Sequence, residues 1–248
     1  MTYCVGILVE KGLVLVADTR TNAGIDNIAT FRKLHVFAKP GERVVAIATS
    51  GNLGITQGVM SLLNDGFEDP ETGDMQTIYS PPGMFDTAAL VGRAIREVYR
   101  IDGVDQAQQA SDFSVSFLVA GQVGERRMRL FQIYSAGNFI EATPDTPYLQ
   151  IGEHKYGKPI LDRAVTYRTD LPEALKLALI SMDSTMRSNL GVGAPIDMMV
   201  YRKDTLEPEI DARIDQDDPY FGELRERWSQ ALRDAHQAIP VPPYGKRK

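Results

Sequence analysis

Residues 2–20 read TYCVGILVEKGLVLVADTR, and the reading of this stretch decides the fold. Two β-rich runs, Tyr3–Val9 and Gly12–Asp18, are separated only by Glu10-Lys11, which predicts a tight hairpin. Pairing Val9 with Gly12 sets Tyr3 opposite Asp18 and leaves Thr2 beside it. Asp18 is therefore an acid at the end of an otherwise apolar strand, LVLVAD, next to the start of the chain.

Working outward, Lys33–Ala38 and Arg43–Thr49 predict a second hairpin around Lys39-Pro40-Gly41-Glu42, a stretch with turn chemistry. The polar segment Thr19–Thr30 between the hairpins reads as a loop. Ser50-Gly51-Asn52 opens a helix to about Asn64, and residues 65–83 form an acidic, Pro- and Gly-containing excursion. Leu90/Val91, Ala94/Ile95 and Val98/Tyr99 recur at helical spacing and predict a second helix. Strand character returns at Phe113–Gly121, Arg127–Tyr134 and Phe139–Thr143, with Gly137-Asn138 as a turn. A short helix is expected near Pro159–Val165. Asp170-Leu-Pro-Glu173 resembles a capping box opening a long helix whose buried face carries Leu175, Leu179, Met182 and Met186. Ile196–Arg202 reads as the last strand. Strands, two helices, strands, two helices and a strand predict an α+β fold, two sheets stacked between two helical layers. We expect one domain over residues 2–210, then a C-terminal helical extension and tail over 211–248. Tyr220, Phe221, Leu224, Trp228 and Leu232 in that extension could pack on a neighbouring copy.

The chain has 248 residues, 43% hydrophobic and 24% charged, with 27 Lys+Arg against 33 Asp+Glu and a net charge of −6. That balance argues against nucleic acid or an anionic membrane as the main partner, since both need a basic face. One cysteine, Cys4, permits no internal disulfide and is read as a small buried strand residue. The histidines His35, His154 and His236 are far apart and share no ligand spacing, so metal chemistry is not expected. The start lacks the basic region of a signal peptide. The longest uncharged run, Val44 to Asn64, is too rich in polar and small residues for a lipid-facing helix. A reducing, cytoplasmic setting is the expectation.

No G-x-S-x-G elbow, phosphate-binding loop or H-E-x-x-H motif is present, and Gly51, Gly54 and Gly58 are wrongly spaced for a dinucleotide site. Thr2 is the position of interest. Thr is small enough for the initiator Met to be removed ahead of it, and an N-terminal Thr carries its own base. An α-amino group has a pKa of about 7.7–8.0 and can take the hydroxyl proton. Alone, a strand-end Asp18 is an ordinary turn former and a strand-opening Lys33 a solvated cation. Together the three residues supply a nucleophile, a cation that stabilises a developing alkoxide and an acid that holds the cation.

The order T-x-x-x-G, then GLVLVADTRTNAG, then the strand-opening Lys of FRKLHVF, then ATSGNLG resembles proteasome β-subunits and the bacterial protease subunit HslV. IGEHKYGKPILDR, DSTMRSNLGVG and the C-terminal extension are most similar to the bacterial proteasome-related family called Anbu. The resemblance covers residues 2–205, the tail matching Anbu in particular. It implies a four-layer αββα sandwich of the N-terminal-nucleophile (Ntn) hydrolase type. In it Thr2 is the nucleophile, Asp18 the acid, Lys33 the catalytic lysine and Gly51 the oxyanion-hole glycine, with Arg20 and Ser188 supporting. It also implies a homo-oligomer acting on peptide or unfolded polypeptide with no cofactor and no metal, and leaves open whether an ATPase serves it. An Ntn amidase for small amides or short peptides and a catalytically inactive assembly or scaffold protein are the alternatives. Two departures from the proteasome pattern are visible. Ile151-Gly152 is followed by Glu153-His154-Lys155 in place of a small serine-rich turn. In Ser188-Asn189-Leu190-Gly191 a glycine stands where a hydroxyl is expected.

Overall fold

The computed structural model describes residues 1–22, 28–70, 72–103 and 113–244. β1 (Tyr3–Val9) and β2 (Gly12–Asp18) form the expected hairpin in the expected register, with Cys4 opposite Ala17 and Val9 opposite Gly12. β3 (Arg20–Asn22) and β4 (Ile28–Thr30) pair as a small antiparallel ribbon where a loop was expected, and residues 23–27 of that loop lie outside the described residues. β5 (Leu34–Lys39) and β6 (Arg43–Gly51) make the second hairpin, and α1 (Leu53–Asp65) follows, capped by the Asn52 side chain, which accepts from Ile55 N at 3.2 Å. The acidic excursion contains a minimal hairpin, β7 (Phe67–Glu68) with β8 (Met75–Gln76), before α2 (Met84–Ile101); residue 71 lies outside the described residues.

The returning half contains β9 (Val115–Val123), β10 (Arg129–Tyr134), β11 (Phe139–Glu141) and β12 (Tyr148–Gly152). The next helix, α3 (His154–Ala164), starts five residues earlier than expected and carries Pro159 inside it. α4 (Leu171–Ser188) begins at Asp170 with a proline in its first turn, but the Asp170 side chain makes no capping hydrogen bond, so the expected capping box is not formed. β13 (Ile196–Arg202) is not the last strand: β14 (Pro208–Ile214) pairs with it, and α5 (Pro219–Ala238) follows. Residues 245–248 of the tail lie outside the described residues.

The strands form two five-stranded antiparallel sheets, ordered β12-β1-β2-β13-β14 and β11-β10-β9-β6-β5. Both faces of each sheet are covered, which explains why β1 and β2 are apolar at nearly every position. Tyr3, Val5, Ile7, Val14 and Val16 face the α4 residues Ala174, Ala178 and Met182. Cys4, Leu13, Leu15 and Ala17 face the other sheet, meeting Ala46, Leu118 and Leu130. α1 and α2 cover that second sheet through Ile55, Val59, Val91 and Ile95 on Val45, Phe117 and Val119. The result is the expected αββα sandwich. The extension is built into it. Phe221, Leu224 and Trp228 pack on their own chain's core, and only Tyr220 and Leu232 of the five residues considered for a neighbour are exposed. Arg225 Nε reaches the buried Asp183 at 2.7 Å.

Candidate active site

The site forms where β1 begins. Thr2 is buried, and its carbonyl accepts from Glu153 N at 2.7 Å. Gly152 lies against it with φ +79°, and a Cβ there would stand 2.0 Å from Thr2 O. Only glycine permits this approach, so the Ile151-Gly152 step fixes where Thr2 sits.

The hairpin register delivers Asp18 to the same place. Tyr3 N donates to Asp18 Oδ1 at 3.0 Å, and Gly193 N donates to Oδ2 at 3.4 Å. Lys33, just ahead of β5, donates to Asp18 Oδ1 at 2.9 Å, to Arg20 O at 2.6 Å and to Met1 O at 3.4 Å. An ammonium has three protons, and these are three acceptors. Burial pushes the Asp18 carboxyl above its ordinary value, while Lys33 and the Tyr3 and Gly193 amides pull it back. A buried charge of this kind persists only when paired and hydrogen-bonded.

Gly51 closes the far end of β6 at φ +104°, with a would-be Cβ 2.1 Å from Ser114 O. In an antiparallel ladder, N–H groups alternate between the two neighbouring strands. Asn52 N bonds Ser114 O on the β9 side, and Thr49 N bonds Lys33 O on the β5 side. Gly51 N–H therefore points toward the β5 side, past the residue at which β5 begins, and faces the opening. Thr2, Lys33, Gly51, Thr21, Ser116 and Gly152 line a cleft of about 550 Å³.

The structure thus brings Thr2, Lys33 and Gly51 to one cleft, with Asp18 holding Lys33. Arg20 stands behind them, its Nη1 donating to Leu190 O at 3.2 Å and its guanidinium filling the space a Cβ at Gly193 would need. Ser188 is exposed at the end of α4 and is not among the residues lining the cleft. A Cβ on Gly191 would meet Met1 Cβ at 2.6 Å, so Gly191 is where residue 1 packs. Sequence reasoning missed Gly193, Thr21 and Ser114–Ser116. The two glycines in Gly191-Val192-Gly193 were the only signal, because such closely spaced glycines mark backbone that approaches other groups closely. Cys4 is buried in the strand with its thiol pushed up by burial, as a core residue. Among the described residues no group of three His, Cys, Asp or Glu could hold a metal ion, and no helix is long and apolar enough to cross a membrane.

Two stacked antiparallel sheets between helical layers, with this cleft at the start of the first strand, define the proteasome-β-subunit class of fold. Proteasome subunit beta 1 of Pyrobaculum arsenaticum is 25% identical over 225 residues, 82% of this chain and 91% of that protein. The Anbu (Gly-1) mutant of Hyphomicrobium sp. strain MC1 is 49% identical over 98% of this chain and 99% of its own, with a TM-score of 0.88. The helical assembly of the Anbu complex from Pseudomonas aeruginosa is 47% identical over 99% of this chain and 100% of its own, with a TM-score of 0.89. No protein-family model matches the chain. The chain belongs to the Anbu family of proteasome-related proteins.

Proposed function

We propose that the chain is a threonine-type amide hydrolase that cleaves peptide or unfolded polypeptide inside a homo-oligomer, with Thr2 as its N-terminal nucleophile. The observation that carries this reading is the buried Lys33 ammonium. Its third acceptor is Met1 O, the carbonyl of the Met1–Thr2 peptide bond. Once Met1 is removed that acceptor is gone, one N–H of Lys33 is released toward Thr2, and Asp18 and Arg20 O keep the other two in place.

In the reaction, Thr2 Oγ attacks the substrate carbonyl carbon while its proton passes to the Thr2 α-amine. The Lys33 cation disfavours a second cation beside it, which keeps that amine a free base. The tetrahedral oxyanion is held by Gly51 N–H, a fixed donor aimed where charge develops. The carbon–nitrogen bond then breaks, the amine proton goes to the leaving nitrogen, and an ester on Thr2 remains. Water attacks that ester and gives a proton to the α-amine; the acyl carbon–Oγ bond breaks, the amine returns that proton to Oγ, and the new carboxylic acid leaves.

Self-assembly is supported by the helical complex formed by the relative from Pseudomonas aeruginosa. The test is hydrolysis of a fluorogenic peptide library by the full-length protein and by Thr2→Ala. Turnover by the wild type that is lost in Thr2→Ala supports the reading; equal turnover by both refutes it.

A further inference from the structure

A second groove, of about 650 Å³, adjoins the cleft and shares Ser116 and Gly152 with it. Its floor is the continuous segment Asp145–Gly152, which includes all of β12. β12 is an edge strand, paired only with β1. The pairing shows which of its amides are free. Leu8 N bonds Pro147 O, and Glu153 N bonds Thr2 O. Hydrogen-bonded positions alternate along an antiparallel pair. Leu149 and Ile151 therefore spend their N–H and C=O groups on β1, while Tyr148, Gln150 and Gly152 turn theirs outward. Gly152 O is met by the His154 ring at 3.1 Å. Five outward groups remain: both from Tyr148, both from Gln150, and Gly152 N–H.

An open row of backbone groups is a template for another strand, and proteins ordinarily block such edges with charge, proline or a covering element. Here the inward-facing Leu149 and Ile151 are apolar and β12 itself contains no Pro or Lys. The row is also walled. His154, Lys158 and Asp162 of α3 stand on one side, and Ser116, Gln132 and Tyr134 of β9 and β10 on the other. The last free amide, on Gly152, is beside Thr2.

We propose that β12 is a strand-addition site for the polypeptide substrate. An extended segment on one side of the scissile bond pairs with Tyr148, Gln150 and Gly152, so that the groove grips main chain and leaves its sequence largely unread. This rests on the hydrolase reading of the adjoining cleft, and it implies that extended, unfolded chains bind while folded ones and very short amides do not gain this contact. Main-chain pairing is the usual source of affinity when an extended peptide joins a sheet edge.

The test uses full-length Thr2→Ala protein, so that binding is read without turnover, and the oxidised insulin B chain as an unstructured probe. Hydrogen exchange with residue-level fragmentation should show the amides of Tyr148, Gln150 and Gly152 slowing on addition of the peptide, with Leu149 and Ile151 unchanged. In the same background Gln150→Pro removes one outward donor and no bond to β1, a position where an edge strand tolerates proline. It should weaken binding of the labelled B chain roughly two- to tenfold relative to Gln150→Ala, which controls for the lost side-chain bond to Tyr3. Exchange that slows only around Thr21 and Gly51, or in none of these residues at saturating peptide, overturns the proposal. Wild-type protein that fails to hydrolyse while Thr2→Ala still protects β12 counts against the hydrolase reading alone.

Discussion

Lys33 Nζ stands 2.9 Å from Asp18 Oδ1, and both side chains are buried. The contact joins the end of β2, in one sheet, to the residue that opens β5, in the other. It places a cation beside Thr2 without leaving that cation uncompensated.

Asp18→Asn and Lys33→Ala should each lower the hydrolysis rate by about 10²–10³-fold, the range for positioned electrostatic groups. Each should also lower the melting temperature, because stranding one member of a buried pair costs about 3–5 kcal/mol. The double variant should lose less in both respects than the sum of the single losses. Strict additivity in a double-mutant cycle would show that the two do not act together.

Gly152→Ala should abolish activity. The added methyl meets Thr2 O at 2.0 Å in a backbone conformation that suits glycine. Thr2 must shift, and catalysis depends steeply on placement. Kinetics of a soluble Gly152→Ala protein that match the wild type would show that this glycine does not position Thr2.

Gly191→Ser should raise activity roughly two- to tenfold, the worth of one neutral hydrogen bond, in chains that begin at Thr2. Gly191 has no left-handed φ, so its backbone accepts serine, but a Cβ collides with Met1 while Met1 is present. The same substitution in a chain that keeps Met1 should displace residue 1. Rates for Gly191→Ser measured alongside an intact mass check the point, and no gain in fully Met-free protein would contradict it.

His35 supplies a pH dependence. Burial holds its imidazole below the ordinary value, and Arg32 pushes it the same way, opposed by Asp197. The unfolded chain therefore takes up a proton at about pH 6.5 that the folded chain refuses. Stability present above that pH should decline as pH falls through it toward the lower folded value. Melting temperatures measured from pH 7.5 to 5.5 should fall, and His35→Gln should flatten part of the slope. An identical slope in both proteins would place the effect elsewhere.

Deleting residues 211–248 should destabilise the chain itself. The deletion removes Ile214, Phe221 and Leu224, all buried, at about 1.5–3 kcal/mol each. It also removes most of β14 and takes Arg225 from Asp183. Truncated protein that melts with the full-length chain would contradict this. Contact with a neighbour is better probed by Tyr220→Glu and Leu232→Glu, both exposed, read by sedimentation.

Much of this was legible in the sequence, for physical reasons that differ by element. The Thr2–Asp18 juxtaposition followed from one tight turn and a two-residue period, since a register slip would reverse every side chain. β14 was missed because PEIDARI, an edge strand with three acids or bases facing out, reads as charged loop despite its alternating Ile210, Ala212 and Ile214. β12 was missed because five residues that follow a Pro-rich turn and end on a glycine carry little periodicity. Gly193 and Ser114–Ser116 reach the site only through tertiary pairing, from segments far from Thr2 in the chain. The packing of the extension on its own chain was not legible because its charged residues hide how Phe221 and Leu224 sit one helical turn apart against α4.

The most direct measurement is the intact and peptide-mapped mass of the full-length protein after treatment with an acylating peptide β-lactone. The proposed chemistry predicts a chain lacking Met1 that carries one acyl group, located on Thr2 and absent from Thr2→Ala. A chain that lacks Met1 yet stays unlabelled at Thr2, or that is labelled equally in Thr2→Ala, would contradict it.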